Sequence, residues 1–176
     1  MVCAAGHSQK PQISISTTNP NQGLKHTDQT QKQKLAIENV LDAWHKAASN
    51  AKMDEYFSYM ASDGIFIGTD NTENWNIAQF KAFAKPYFDR GKAWNFKAIE
   101  RNVYMTKEMA WFDELLDTPN MKTCRGSGVL RLENGQWKIV HYVLSMTIPN
   151  DLADQVTTMK TNNDDKFVKE LAEKKK

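Results

Sequence analysis

The chain has 176 residues, 40% of them hydrophobic and 10% aromatic, and a formal net charge of +2. That length suits one domain with a core and some tail, not two full domains, and the near balance of charge favours neither nucleic acid nor an anionic membrane surface as a partner. No run approaches the roughly 18 consecutive apolar residues of a membrane span, and two cysteines, Cys3 and Cys124, are too few for a disulfide framework or a cysteine-rich zinc site.

The first 29 residues are rich in Ser, Thr, Asn, Gln and Pro and are expected to form a disordered polar tail or tether. They lack the apolar stretch of a secretory signal. Cys3 followed by a polar tether suits a lipoprotein whose signal has been removed; a plain tail is the alternative, so the compartment is open between cytoplasmic and extracytoplasmic.

The "TQKQ" run at Thr30 has the form of a helix capping box. Ile37, Val40, Leu41, Trp44, Ala47, Ala48 and Ala51 then recur at steps of three and four, which predicts a helix with one apolar stripe. A second, short helix is predicted over "MDEYFSYMA", and a short strand over "SDGIFIGTD", followed by a loop. A third helix carries Ile77, Phe80, Ala84, Tyr87 and Phe88 on one side. Pro86 is expected to end or kink it near Lys85, with Gly91 closing the turn.

Four extended segments follow: "AWNFKAIERNVYM", "EMAWFDELLD", "MKTCRGSGVLRLE" and "QWKIVHYVLSMTI". Asn134-Gly135 between the last two predicts a type I′ hairpin. A break in alternation at Ile99, Glu100 and Arg101, and the loss of side chains at Gly126 and Gly128, are cues for bulges or sharp curvature. Such long strands must bend. After Pro149, "NDLADQVTTMK" predicts a helix and "DDKFVKELAEKKK" a charged tail, so residues 151–176 form a C-terminal helix and tail.

Helix, helix, short strand, helix and four long strands, with "DGIFIGTDNTENW", "AWFDE" and "RGSGVLRLENGQWKIVHYVLSMTIPN", resemble the nuclear transport factor 2-like superfamily. Within it, the resemblance is to the SnoaL-like and ketosteroid isomerase-like branch, over Thr30 to Asn150. It implies an α+β, cystatin-like cone: a strongly curved antiparallel sheet wrapped around the N-terminal helices, with a ligand pocket inside. Members include isomerases, polyketide cyclases and dehydratases as well as proteins that only bind ligands or hold complexes together, so function rests on the site.

Period-two alternation groups Trp137, Ile139, His141, Val143 and Ser145 on one face of the last strand, and Arg125 and Ser127 on one face of the strand before it. His141 and Ser145 also match pocket-facing positions of the resemblance. Either Asp113 or Glu114 supplies the inward carboxylate; Asp113, sharing a face with Trp111, is the favoured one. The expected catalytic pair is therefore Asp113 and His141, with Glu114, Arg125, Ser127, Tyr142, Ser145, Trp111 and Asp70 as ligand contacts. Each has a plainer reading as core, pleat, turn or ion-pair residue. No ordered set of ligands predicts a metal, and no cofactor is expected.

Three functions follow as expectations: a protein binding a small, mostly apolar ligand in the cone; a cofactor-independent isomerase, cyclase or dehydratase using acid–base catalysis; or a homodimeric scaffold. The dimer would form through an outer sheet face carrying Val140, Tyr142, Leu144 and Met146.

Overall fold

The structure is a computed structural model that describes the backbone of residues 20–174 and the side chains of residues 29–174. Cys3 and most of the expected tail lie outside the described residues. The chain divides into two compact units, Met1–Gln33 and Lys34–Lys176. Of the first, residues 20–33 are helical; the second carries the fold described below.

Helix α1 spans Pro20–Ser49, so it begins ten residues before the capping box at Thr30. Its predicted stripe is the buried one: Ile37, Leu41, Trp44, Ala47 and Ala48 are all closed to solvent. Helix α2 (Met53–Ser58) is shorter than predicted because Tyr59 caps it and strand β1 (Met60–Ile67) starts at once. Asn74–Asn76, expected to be loop, forms a short strand β2 that pairs antiparallel with β1.

Helix α3 (Ile77–Asp89) opens on a capping box between Asn76 and Gln79. It continues through Pro86 to Asp89 rather than ending at Lys85. Gly91, at φ 74°, closes the turn in the left-handed region that glycine tolerates.

Strands β3 (Lys97–Met105), β4 (Met109–Thr118), β5 (Lys122–Glu133) and β6 (Gln136–Met146) form an antiparallel meander. Asn134 (φ 50°) and Gly135 (φ 80°) make the tight turn that their sequence predicts. Strand β1 adds to β6 in parallel, giving a six-stranded sheet in the order β2-β1-β6-β5-β4-β3. The fold is the predicted α+β class, with a curved sheet enlarged by two strands the meander alone does not include. Helix α4 (Ala153–Glu173) is one continuous helix with no buried residue.

Two bulges decide which side chains face the core. Between Ala98 and Glu100 the β3–β4 register slips, leaving Ile99 unpaired as the broken alternation predicts. The second lies between Val129 and Leu130 opposite β6, where Val129 pairs with His141 and Leu130 with Ile139, so Val140 is the extra residue. Inserting one residue reverses the faces of everything beyond it. Trp137 and Ile139 point inward before the bulge; Tyr142 and Leu144 do so after it.

Gly126 and Gly128, cues for a bulge or sharp curvature, sit in unbroken ladder with β4, and on the β6 side Gly128 stands next to the bulge at Val129/Leu130. They are places of close approach. A Cβ on Gly126 would collide with the Tyr142 hydroxyl and come within 2.9 Å of Glu114 Oε1; one on Gly128 would collide with the His141 backbone carbonyl and meet the Phe112 ring at 2.9 Å. The missing side chains make room for large groups on neighbouring strands.

Candidate functional site

The Val140 bulge takes apart the pocket that strict alternation predicts. Trp111, Val129, His141 and Ile65 lie in register along one cross-strand row, and Asp113, Ser127 and Val143 along the next. Arg125 lies opposite Leu115 and Ser145. These rows belong to the sheet face turned away from the core, whose alternate positions are the buried ones. Trp111, Asp113, Arg125, Ser127, His141 and Ser145 are therefore together, but on the outer face.

Their contacts fit that position. Trp111 is 47% exposed and stacks on Tyr104 at 5.9 Å, and Asp113 accepts a hydrogen bond from Asn102 Nδ2 at 3.1 Å. Arg125 makes no ion pair with Asp113 or Glu114, whose partners are Asn102 and Arg101. Asp70 serves a turn: its Oδ1 accepts from the Thr72 N–H at 2.8 Å and the Thr72 hydroxyl at 2.5 Å.

Of the predicted site residues, Glu114 and Tyr142 face inward, and the core joins them to residues that the sequence reading passed over. Glu114 is 1% exposed. Its Oε1 lies 2.7 Å from His45 Nε2 and accepts from the Tyr142 hydroxyl at 3.3 Å. Its Oε2 accepts from Arg101 Nε at 2.9 Å, and Arg101 Nη1 continues to Asp42 Oδ1 at 2.8 Å and the Glu38 carbonyl at 3.4 Å.

A buried carboxylate is tolerable only when paired and hydrogen-bonded. Burial pushes the Glu114 carboxyl upward, yet the hydrogen bonds and charges of His45 and Arg101 outweigh it and hold the carboxyl below its ordinary range. Tyr142 moves the other way: burial first, then the Glu114 charge, raises its hydroxyl well above the usual phenol value. It stays protonated and donates.

Because an ionised carboxylate only accepts, Nε2 of His45 carries the ring proton. His45 Nδ1, also buried, has no hydrogen-bond partner among the described residues. Chemically this is an imidazole oriented through Nε2 by a carboxylate. The sequence signal for His45 lay in the helix stripe itself: it stands four residues after Leu41 and three before Ala48. Arg101 turns inward because the Ile99 bulge changes the face of the residues after it.

Two clefts flank this network. One, of about 260 Å³, is lined by Phe66, Gly68, Thr69, Glu73, Trp75, Phe80, Phe83, Tyr87, Trp94, Phe96, Met121 and Leu144. The Trp75 ring stacks on Phe83 at 4.3 Å, and Phe66 on Phe80 at 3.9 Å. The other, of about 390 Å³, is lined by Asp42, His45, Lys46, Ser49, Asn95, Phe96, Lys97 and Ala98. Phe96 borders both. Among the described residues no group of three or more His, Cys, Asp or Glu is placed to hold a metal ion, and no helix is long and apolar enough to cross a membrane.

The SnoaL-like domain family matches residues 37–149, and the chain belongs to that family. Solved structures share the fold. An NTF2-like protein of unknown function from Pseudomonas putida is 14% identical and superposes with a TM-score of 0.57, over 65% of this chain and 86% of its own. A protein of unknown function with a cystatin-like fold from Nostoc punctiforme is also 14% identical, with a TM-score of 0.55 over 65% and 90%. A function-unknown protein from Mycobacterium tuberculosis is 11% identical, with a TM-score of 0.60 over 72% and 78%. None of the curated proteins matches this sequence.

Proposed function

We propose that this SnoaL-like domain binds a small, flat, mostly apolar organic molecule in the cleft between β1, β2 and α3. The observation that supports this most is the lining: seven of the twelve residues around a 260 Å³ space are aromatic. Such a wall favours ring stacking and apolar burial over water. The volume lies just under the roughly 300–1,000 Å³ of drug-sized ligand sites, which suits one or two fused rings. Thr69 and Glu73 offer polar contacts at the rim.

Trp75 and Trp94 line the cleft, so occupancy is read as a change in tryptophan emission, alongside a thermal-shift screen of small aromatic compounds. Compounds that quench emission should also raise the melting temperature. A screen in which none does either overturns the reading.

A second reading, acid–base catalysis, is favoured by one observation: His45 Nε2 lies 2.7 Å from the Glu114 carboxylate. A base held in one tautomer by a third group is the arrangement that proton transfer uses. His45 and Glu114 would take the roles first given to His141 and Asp113. Turnover of a bound compound that is lost in His45→Gln, with binding retained, is the expected result.

Dimerisation through the outer sheet face is supported by exposed Tyr104 and Trp111. The face involved differs from the one predicted, because Tyr142 and Leu144 are buried in the core. Sedimentation at micromolar concentration tests it: a monomer removes the dimer reading.

A further inference from the structure

The polar cleft beside the aromatic one has its own chemistry. Lys46 and Lys97 both line it, and neither has a carboxylate partner among the described residues. The one carboxylate in the lining, Asp42, is already held by Arg101 Nη1 at 2.8 Å. The carbonyls at the end of α1 are also engaged: Lys46 O accepts from Asn50 N, Ala47 O from Lys52 N and Ala48 O from Ala51 N, all at 2.9–3.0 Å. The charged side chains of this lining that make no ion pair among the described residues, Lys46 and Lys97, are both positive; Asp117 stands across from Lys97 in the β3–β4 ladder.

A second observation points to an occupant. His45, 5% exposed, forms part of the cleft wall and keeps Nδ1 buried without a partner. Unpartnered buried polar atoms are uncommon and costly. With the ring proton committed to Glu114, Nδ1 is an acceptor.

The segment Trp94–Ala98 connects the two spaces: Trp94 and Phe96 line the aromatic cleft, while Asn95, Phe96, Lys97 and Ala98 line the polar one. We infer that the two clefts form one bipartite site for an aromatic carboxylic acid. The ring system stacks among Trp75, Phe80 and Phe83, and the carboxylate reaches past Phe96 to Lys46 and Lys97. This rests on the aromatic-cleft reading above and adds the charge of the ligand to it.

Calorimetric titration with 2-naphthoate and with its neutral isostere 2-naphthamide separates the two. The acid is expected to bind at least tenfold more tightly, and added salt should weaken the acid alone. Replacing both exposed lysines (Lys46→Ala with Lys97→Ala) should bring the acid down to the level of the amide and leave the amide unchanged. Equal binding of acid and amide by the unaltered protein, or an acid preference that survives the double substitution, overturns the anion subsite while the aromatic cleft stands. Failure of both compounds to bind overturns the cleft reading and this inference together.

Discussion

Glu114 Oε1 and His45 Nε2 stand 2.7 Å apart although 69 residues of chain separate them. The contact ties the end of α1 to the middle of β4 inside an otherwise apolar core. With Arg101 on the other carboxylate oxygen, it is a buried charge network whose members depend on one another.

Breaking it by one partner should be costly. Glu114→Gln keeps the shape but leaves Arg101 and His45 facing a neutral amide, and loss of one member of a buried pair typically destabilises by about 3–5 kcal/mol. Asp113→Asn, one residue away on the outer face, should change stability by less than about 0.5 kcal/mol. Urea denaturation of both variants tests the assignment of faces: comparable losses would contradict it.

The same network sets an acid limit. The folded-state pKa of Glu114 lies below its ordinary value of 4.5, so between those two values the unfolded chain binds the extra proton. Stability from this group is therefore complete above pH 4.5 and is lost as pH falls through the folded pKa. The stability difference between wild type and Glu114→Gln should shrink as pH drops below 4.5. A difference constant from pH 7 to pH 3 would count against an ionised Glu114.

Much of this was visible in the sequence, and the parts that were not share one cause. The stripe on α1, the Asn134-Gly135 turn and the Ile99 bulge all leave a local mark: a period, a dipeptide, a break in alternation. The Val140 bulge leaves none in β6 itself; its one cue is Gly128 beside it on β5. It falls within Ile139-Val140-His141-Tyr142-Val143, where apolar residues occupy both faces, so shifting the register by one changes no visible pattern. The parity error placed His141 and Ser145 inside and Tyr142 and Leu144 outside. Glu114 against Asp113 was undecided for the same reason: Phe112 and Leu116 on one side of β4 are matched by Trp111 and Leu115 on the other. His45 was legible as a polar residue on a buried stripe, but its partner in β4, with two helices and three strands between them in the chain, was not.

Gly126 is expected to resist substitution because of Tyr142. In Gly126→Ala the new methyl would overlap the Tyr142 hydroxyl and crowd Glu114 Oε1 at 2.9 Å, and overpacking of this kind costs about 1–3 kcal/mol. Adding Tyr142→Phe removes the overlapping oxygen, so the double variant should recover part of the loss. A double-mutant cycle measures this coupling, and strictly additive effects would show that the two groups do not share the space.

Two tryptophans, half-buried Trp75 and exposed Trp111, should part company in ligand binding. Trp75 lines the aromatic cleft and stacks on Phe83 at 4.3 Å; Trp111 stacks on Tyr104 on the opposite side of the sheet. Loss of one stacked aromatic contact is worth roughly 0.5–1.5 kcal/mol beyond the buried area, and the area itself adds about 25 cal/mol per Å². Trp75→Ala should therefore weaken binding of an aromatic compound by at least tenfold, measured by fluorescence of the remaining tryptophans or by calorimetry. Trp111→Ala should leave that affinity unchanged and shift only self-association, measured by sedimentation. If Trp111→Ala impaired binding and Trp75→Ala did not, the ligand site would belong to the outer face, where the alternation of the sequence first placed it, and not to the aromatic cleft.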